Sequence, residues 1–288
     1  MIKNALSIDL EDWYHPEFVR NKITRKKVPQ INRSTKKILD LLEKYDVRAT
    51  FFILGEIAER HPSLLKNIHA KGHEIACHGF KHLPLWNLTT QEFKNDISKF
   101  REVISRTLGD KIKIHGFRAP TFSMDQTTIE FLKCLTDLNF KYDSSVFPVK
   151  TGMYGTRDAP LDVYRPNLRD LTKKSEKVKL IEFPLTVLKL GCLKIPVSGG
   201  FYLRVFPYFI YKRILKSINR QNRPFLIYFH PWETHPSTPR VSGIGLKKHI
   251  ITYYGINSCL KKIEKLIQDF KFEPLIDIIR RKEYEGSS

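Results

Sequence analysis

The sequence predicts a parallel α/β fold of the barrel type, and three observations carry that reading. Apolar, β-branched and aromatic runs alternate along the chain with segments whose apolar residues recur at three- and four-residue steps, the periods of strand and helix. The length, 288 residues, suits one α/β barrel of about 250 residues with extensions. Asp9, His78, Arg118, Asp143 and His230 each close a separate apolar run, and in such barrels the chemistry gathers at the carboxyl ends of the strands.

Taken in order, Asn4–Leu10 reads as the first strand and Ser34–Tyr45 as the first helix. Arg48–Leu54 is the second strand, and Ile57–Lys71 carries helical spacing. The strand His73–His78 precedes the helix Gln91–Leu108; the strand Ile112–Arg118 precedes the helix Thr127–Leu138. Phe140–Ser145, Val178–Val187 and Arg223–His230 complete seven strand runs, with a helix at Arg204–Arg220 before the last. Val149–Lys177, rich in Pro, Gly and charge, is expected to be an excursion that covers the site. From Leu246 to Phe270 a helix is expected, Phe272–Arg280 braces the barrel, and Arg281–Ser288 reads as a frayed tail. A single catalytic domain results, with a core at about residues 4–235 and a helical extension at 236–288.

The most informative segment is His78-Gly79-Phe80-Lys81-His82, which follows an apolar strand in a chain that begins with the acidic cluster Asp9, Glu11 and Asp12. Two neutral imidazoles and a carboxylate leave open positions on a metal ion, the usual arrangement of a hydrolytic centre. The pair alone is unspecific, since it lacks the Glu of a helical His-Glu-x-x-His protease. The shared placement of the other polar residues at strand ends is what turns it into a metallohydrolase reading.

Beyond this chemistry the motifs resemble, in order, those of the NodB-homology polysaccharide deacetylases, carbohydrate esterase family 4, over roughly residues 4 to 235. The first resembles Leu6-Ser7-Ile8-Asp9-Leu10-Glu11-Asp12 and the second His78 to His82, with Ala49-Thr50-Phe51-Phe52 also typical. The third is similar to Arg118-Ala119-Pro120-Thr121, the fourth to Tyr142-Asp143-Ser144-Ser145, and the fifth to His230. The resemblance implies a distorted (β/α) barrel of about seven parallel strands and deacetylation of N-acetylated sugars, with one divalent metal, Zn2+ first and Co2+, Ni2+ or Mn2+ as alternatives, held by an acid and two His. By position, Asp9 would be the general base, His78 and His82 ligands, and His230 the general acid that protonates the leaving amine. Arg118 would orient Asp9, and Asp143 would tune the His230 side of the site.

Three departures matter. Leu10 stands where the family has its second Asp, so the acidic ligand must be Glu11 or Asp12: a continued strand puts Glu11 on the face of Asp9, whereas a turn after Leu10 swings Asp12 inward. Asp12 is favoured here, with Glu11 as the alternative. Thr121 replaces the family's Tyr, which leaves an oxyanion site intact if its backbone N–H points at the acetyl oxygen. The aromatic residue expected after the fourth motif is displaced, and Phe147 is the substitute. Pro120, Thr121, Trp86, Tyr202, Arg204 and Trp232 are candidates for substrate contact; Gly199-Gly200 would permit positive φ or a close backbone approach beside them. These features resemble a bacterial branch associated with exopolysaccharide or surface-glycan synthesis.

Fifty Lys and Arg against thirty Asp and Glu give a net charge of +20. The basic residues are dispersed and no nucleic-acid motif accompanies them, which argues against a nucleic-acid partner. An anionic glycan, a saccharide linked to a lipid diphosphate, or peripheral contact with the inner membrane surface accounts for the charge better. Four dispersed cysteines with no Cys-x-x-Cys pair indicate neither a zinc ribbon nor a disulfide framework. No apolar leader precedes the first strand, so a cytoplasmic location is the expectation. A metal-free hydrolase or catalytically silent glycan binder on the same scaffold is the competing reading.

Overall fold

The computed structural model describes residues 2–24 and 26–285. Its strands are β1 (Lys3–Leu10), β2 (Thr50–Ile53), β3 (Glu74–Cys77), β4 (Gly116–Phe117), β5 (Tyr142–Asp143), β6 (Pro166–Asn167), β7 (Asp170–Lys174), β8 (Ile181–Glu182), β9 (Val187–Leu190), β10 (Leu193–Pro196), β11 (Leu226–Phe229) and β12 (Lys271–Glu273). The helices are α1 (Glu17–Arg20), α2 (Ile31–Lys44), α3 (Gly55–Arg60), α4 (Pro62–Ala70), α5 (Thr90–Leu108), α6 (Glu130–Asp137), α7 (Gly200–Val205), α8 (Tyr208–Arg220), α9 (Leu246–Tyr253), α10 (Ile256–Asp269) and α11 (Leu275–Glu285).

Seven strands pair in parallel in the order β11-β1-β2-β3-β4-β5-β8, a curled sheet open between β11 and β8. This is the distorted (β/α) barrel that the sequence predicts. Register is set by the apolar runs: Ser7 to Leu10 of β1 pair with Thr50 to Ile53 of β2, and Ala5 to Ile8 pair with Leu226 to Phe229 of β11. β12 pairs with the start of β1 at Lys3 to Ala5. Because Ala5 already pairs with Leu226 on one side, β12 must lie on the other. Between sheet and helices sits a core containing Phe51, Phe93, Phe100, Phe117 and Phe131, all fully buried. Burying one such ring stabilises the fold by about 1.5–3 kcal/mol.

Where the elements differ from the sequence reading, Pro and Gly are the cause. The stretch Ile57–Lys71 divides at Pro62, which opens α4 at its first turn because Pro has no N–H to continue α3. Pro207 divides Arg204–Arg220 into α7 and α8 in the same way. Leu246–Phe270 divides at Gly255, whose φ of 74° ends α9. The expected frayed tail is corrected: α11 continues through Glu285, and of that tail only residues 286–288 lie outside the described residues. The excursion Val149–Lys177 contains the antiparallel pair β6–β7. Of Val178–Val187 only Ile181–Glu182 joins the sheet, and Val187 opens a second hairpin with β10. No helix among the described residues is long and apolar enough to cross a membrane.

Candidate active site

The site grows from the alternation of β1. Ser7, Asp9 and Glu11 share one face, and all three are buried. A tight turn follows the strand, with the Glu11 N–H donating to the Asp9 carbonyl at 2.8 Å. Glu11 Oε1 thereby comes within 3.1 Å of His78 Nε2 and 2.9 Å of His82 Nε2. His78 closes β3; His82 reaches back to the same point because its backbone takes φ 54°. Burial disfavours the Glu11 carboxylate, but His82, His230 and His78 more than offset it and hold its pKa well below the usual range. Burial in turn pushes His82 down, against the pull of Glu11.

Asp12 lies in a different environment. Its Oδ1 accepts from the Trp13 N–H at 2.9 Å, and its Oδ2 accepts from the N–H groups of Gln30 and Ile31 at 2.9 and 3.1 Å. It ties the loop to the first residues of α2, where exposed N–H donors favour a carboxylate. The preference for Asp12 beside the His pair is therefore corrected in favour of Glu11. The turn after Leu10 brings Glu11, and not Asp12, to the His pair.

The donor set fits a divalent cation. His78 Nδ1 lies 2.8 Å from the Arg118 carbonyl, which can only accept, so Nδ1 carries a proton and Nε2 is the nitrogen left to meet a cation. Nε2 faces a Glu11 oxygen at 3.1 Å, a contact that a proton or a cation between them would satisfy. Glu11, His78 and His82 offer ligand atoms all within 4.8 Å of one another, as do Asp9, Glu11 and His230.

Arg118 is fully buried and organises the opposite wall. Its Nη1 donates to Asp9 Oδ1 at 2.6 Å and to Ser7 Oγ at 2.9 Å; Nε donates to the Ser144 carbonyl and Nη2 to Ser144 Oγ, both at 3.0 Å. The guanidinium stacks 3.9 Å over the Phe52 ring. Next in the chain, Ala119 N–H donates to Ser145 Oγ, and Ser145 Oγ donates to Asp143. Asp143 therefore acts on the Arg118–Thr121 segment. Its other neighbour is Glu182; burial raises both carboxyls, so the pair retains a proton. The expectation that Asp143 serves the His230 side is corrected, since the groups that act on His230 are Glu11, Glu233 and Asp9.

His230 closes β11, 3.7 Å from Glu11, and stacks on Trp232 with ring centroids 5.2 Å apart. Its Nδ1 lies 2.8 Å from Glu233 Oε2. Glu233 Oε1 accepts from Arg204 Nε and Nη2 at 3.0 and 2.9 Å, and Arg204 continues to the carbonyls of Ile251 and Tyr254. Burial disfavours the imidazolium, yet Glu11, Glu233 and Asp9 together push its pKa up to about 9. Arg204, expected at the substrate, is buried and spends its donors inside the protein, so that role is corrected. Gly200 and Gly199 supply room: a Cβ on Gly200 would collide with the Glu233 carboxylate, and one on Gly199, at φ 102°, would lie 2.8 Å from the Tyr228 ring.

The remaining candidates border this centre to different degrees. Thr121 takes φ 59° in the 3-10 turn Pro120–Phe122 directly after Arg118. Trp86 is exposed on the neighbouring turn, placed there by Leu85 N–H donating to Ser123 Oγ at 2.9 Å. Phe147 joins an aromatic wall with Tyr154, Phe122 and Tyr228, and Tyr202 is half-buried. Sequence reasoning missed Glu233, although a carboxylate three residues after a strand-ending His, across Pro231-Trp232, is the spacing of a capping box. Sequence reasoning missed Ser7 too, although alternation puts it on the face of Asp9.

The class defined here is an open parallel α/β barrel with a Glu-His-His cluster at its strand ends. Residues 23–141 match the family model "Polysaccharide deacetylase" and residues 144–280 match "Domain of unknown function (DUF3473)". The chain thus carries a polysaccharide deacetylase match in its first half and a DUF3473 match in its second. It is 43% identical over 75 residues to a peptidoglycan-N-acetylglucosamine deacetylase of Bacillus cereus, a match covering 26% of this chain and 27% of that protein. It is 30% identical over 84 residues to the peptidoglycan-N-acetylmuramic acid deacetylase PdaA of Bacillus subtilis, covering 29% and 32%. The matches thus span about a third or less of these relatives. The crystal structure of a protein described as a polysaccharide deacetylase from Mycobacterium smegmatis superposes with a TM-score of 0.65 at 16% identity, covering 98% of this chain and 90% of that one. That likeness establishes the fold.

Proposed function

We propose that this protein is a metal-dependent hydrolase that removes N-acetyl groups from an amino-sugar saccharide in surface-glycan or exopolysaccharide synthesis. The observation that carries the proposal is the convergence of Glu11, His78 and His82 on one point, with Asp9 and His230 on its rim. The names of the relatives above, which act on N-acetylglucosamine and N-acetylmuramic acid, support the substrate class. The chain works as one catalytic unit: Asp9 and Glu11 precede residue 23, His78 and His82 lie within 23–141, and His230 and Glu233 lie within 144–280.

Glu11, His78 and His82 would hold the cation, Zn2+ being the choice that suits two imidazoles and a carboxylate. When bound, such a cation polarises the acetyl carbonyl and acidifies water. Asp9, held at Oδ1 by Arg118, takes the proton of the attacking water through its free oxygen. The turn at Thr121 offers its backbone N–H to the developing oxyanion. His230, hydrogen-bonded at Nδ1 to Glu233, delivers a proton from Nε2 to the leaving amine, since an amide nitrogen departs poorly unprotonated. Glu233, anchored by Arg204, fixes the ring by accepting from Nδ1. Trp86, Tyr202 and Trp232 line the approach to the sugar.

The test is acetate release from N-acetylglucosamine oligomers by protein reconstituted with Zn2+, beside His230→Ala. Release by the wild type, lost in the variant with metal retained, supports the reading; an unchanged rate in the variant removes His230 as the acid. Metal binding without acetate release from any N-acetylated sugar would favour the silent glycan binder. We place the protein in the cytoplasm or at the inner membrane surface, on its charge.

A further inference from the structure

Between Phe183 and Ile263 the chain carries a single carboxylate side chain, Glu233, against thirteen Lys and Arg. Glu233 is buried and occupied with Arg204 and His230. No exposed residue of this stretch is acidic, and the acids that follow it on α10, Glu264 and Asp269, are paired with Lys44 and Lys212. Eight of the ten large apolar side chains exposed among the described residues fall in the same stretch. Single exposed apolar residues need no explanation, but their concentration on the acid-free part of the molecule does.

Six of them lie on or beside three helices that are linked through Arg204 and α10. Val205 ends α7; Phe209 and Ile210 open α8; Leu246, Ile250 and Tyr254 run along α9 and past its end. Arg204 joins α7 to α9 through the carbonyls of Ile251 and Tyr254. Lys262 of α10 donates to the carbonyls of Leu203, Arg204 and Phe206 at 3.1, 2.7 and 2.7 Å. Lys265 of α10 lies 5.5 Å over the ring of Tyr208. Exposed Arg213, Lys216, Lys247 and Lys261 flank the apolar residues. Phe209 is 62% exposed and Leu246 77%, on ordered helices whose opposite faces are in the core.

We infer that the α7–α8–α9 edge docks on the surface of a bilayer containing anionic lipid. An aqueous polyanion would be matched by the lysines and arginines but would leave six apolar side chains in water. A purely apolar partner would strand the cations. An anionic bilayer surface satisfies both, taking the apolar residues into the headgroup boundary while Lys and Arg meet phosphates, each cation adding to the attraction. The surface adjoins the site through Arg204, which bonds α9 on one side and Glu233, the partner of His230, on the other. Docking would bring the mouth of the barrel close to saccharides held at the membrane. The inference stands on surface chemistry and holds whether or not the deacetylase reading does.

Vesicle co-sedimentation of the full chain tests it, using phosphatidylcholine vesicles and phosphatidylcholine vesicles mixed with phosphatidylglycerol, with wild type beside Phe209→Ser/Ile210→Ser/Leu246→Ser. The wild type should partition onto the phosphatidylglycerol vesicles and stay in solution with phosphatidylcholine alone. The triple variant should partition at least about tenfold more weakly at an unchanged melting temperature. Added salt should weaken the wild type's binding. Absence of partition, or equal partition of the two proteins, overturns the inference. Concentration-dependent self-association of the wild type, abolished in the variant and without vesicle binding, overturns it as well and assigns the face to a second copy of the chain.

Discussion

Two neighbouring carboxylates, Glu11 and Asp12, have opposite surroundings. Glu11 faces three imidazoles, whereas Asp12 accepts three backbone N–H groups at the start of α2. Asp12→Asn should therefore keep the metal and lower stability by about 1 kcal/mol in urea unfolding. Glu11→Gln should lose the metal with little loss of fold. Asp9→Asn should bind metal normally and lower kcat by about 10²- to 10⁴-fold, the scale of a missing general base; acetate release near the wild-type rate would remove Asp9 from that role. Glu233→Gln should reduce kcat with KM nearly unchanged and lower the apparent pKa of His230, read from the chemical shifts of its ring across pH, because one of the charges that raises it is gone. At this scale Asp9, His78, Arg118 and His230 were legible because each ends an apolar run, and His82 because it lies four residues after His78. The choice between Glu11 and Asp12 depends on one turn, and the Glu233–Arg204 pair forms between segments 29 residues apart, which periodicity does not relate.

Elements carry their own consequences. Each parallel strand but β12 was found at its place, while the helices broke wherever Pro62, Pro207 or Gly255 interrupted an otherwise continuous apolar period. That period reports which side is buried and not whether the axis continues across a Pro. At the amino end of β3, His73 is buried; its Nδ1 accepts from the Ala49 N–H at 3.3 Å, and burial with Lys71 and Arg48 nearby lowers its pKa from 6.5 to about 4. The folded state holds it neutral, so its contribution is present above pH 6.5 and is lost as pH falls through about 4. The size of that loss is about 3 kcal/mol. The stability difference between wild type and His73→Asn should shift in the variant's favour by this order between pH 7 and pH 4, followed by urea unfolding; a pH-independent difference would contradict the assignment.

For the whole molecule, the sheet draws β11 and β12 from the last quarter of the chain to flank β1. Leu275, Ile276, Ile278 and Ile279 of α11 are buried against the same core cluster as Ala5 and Phe52. Exposing four such side chains costs about 6–12 kcal/mol, comparable to the whole stability of an ordinary domain. Removal of residues 236–288 should therefore abolish cooperative unfolding, checked by calorimetry. The barrel class was legible from alternation and length, whereas the late return of β12 to β1 was not, because Lys271–Glu273 is too short to register as a strand. The central claim is that Glu11, with His78 and His82, forms the metal centre. It is tested most directly by divalent-metal content per chain after Zn2+ reconstitution of wild type, Glu11→Gln and Asp12→Asn. The account predicts near-stoichiometric metal in the wild type and Asp12→Asn and little in Glu11→Gln. Metal retained by Glu11→Gln and lost from Asp12→Asn would contradict it.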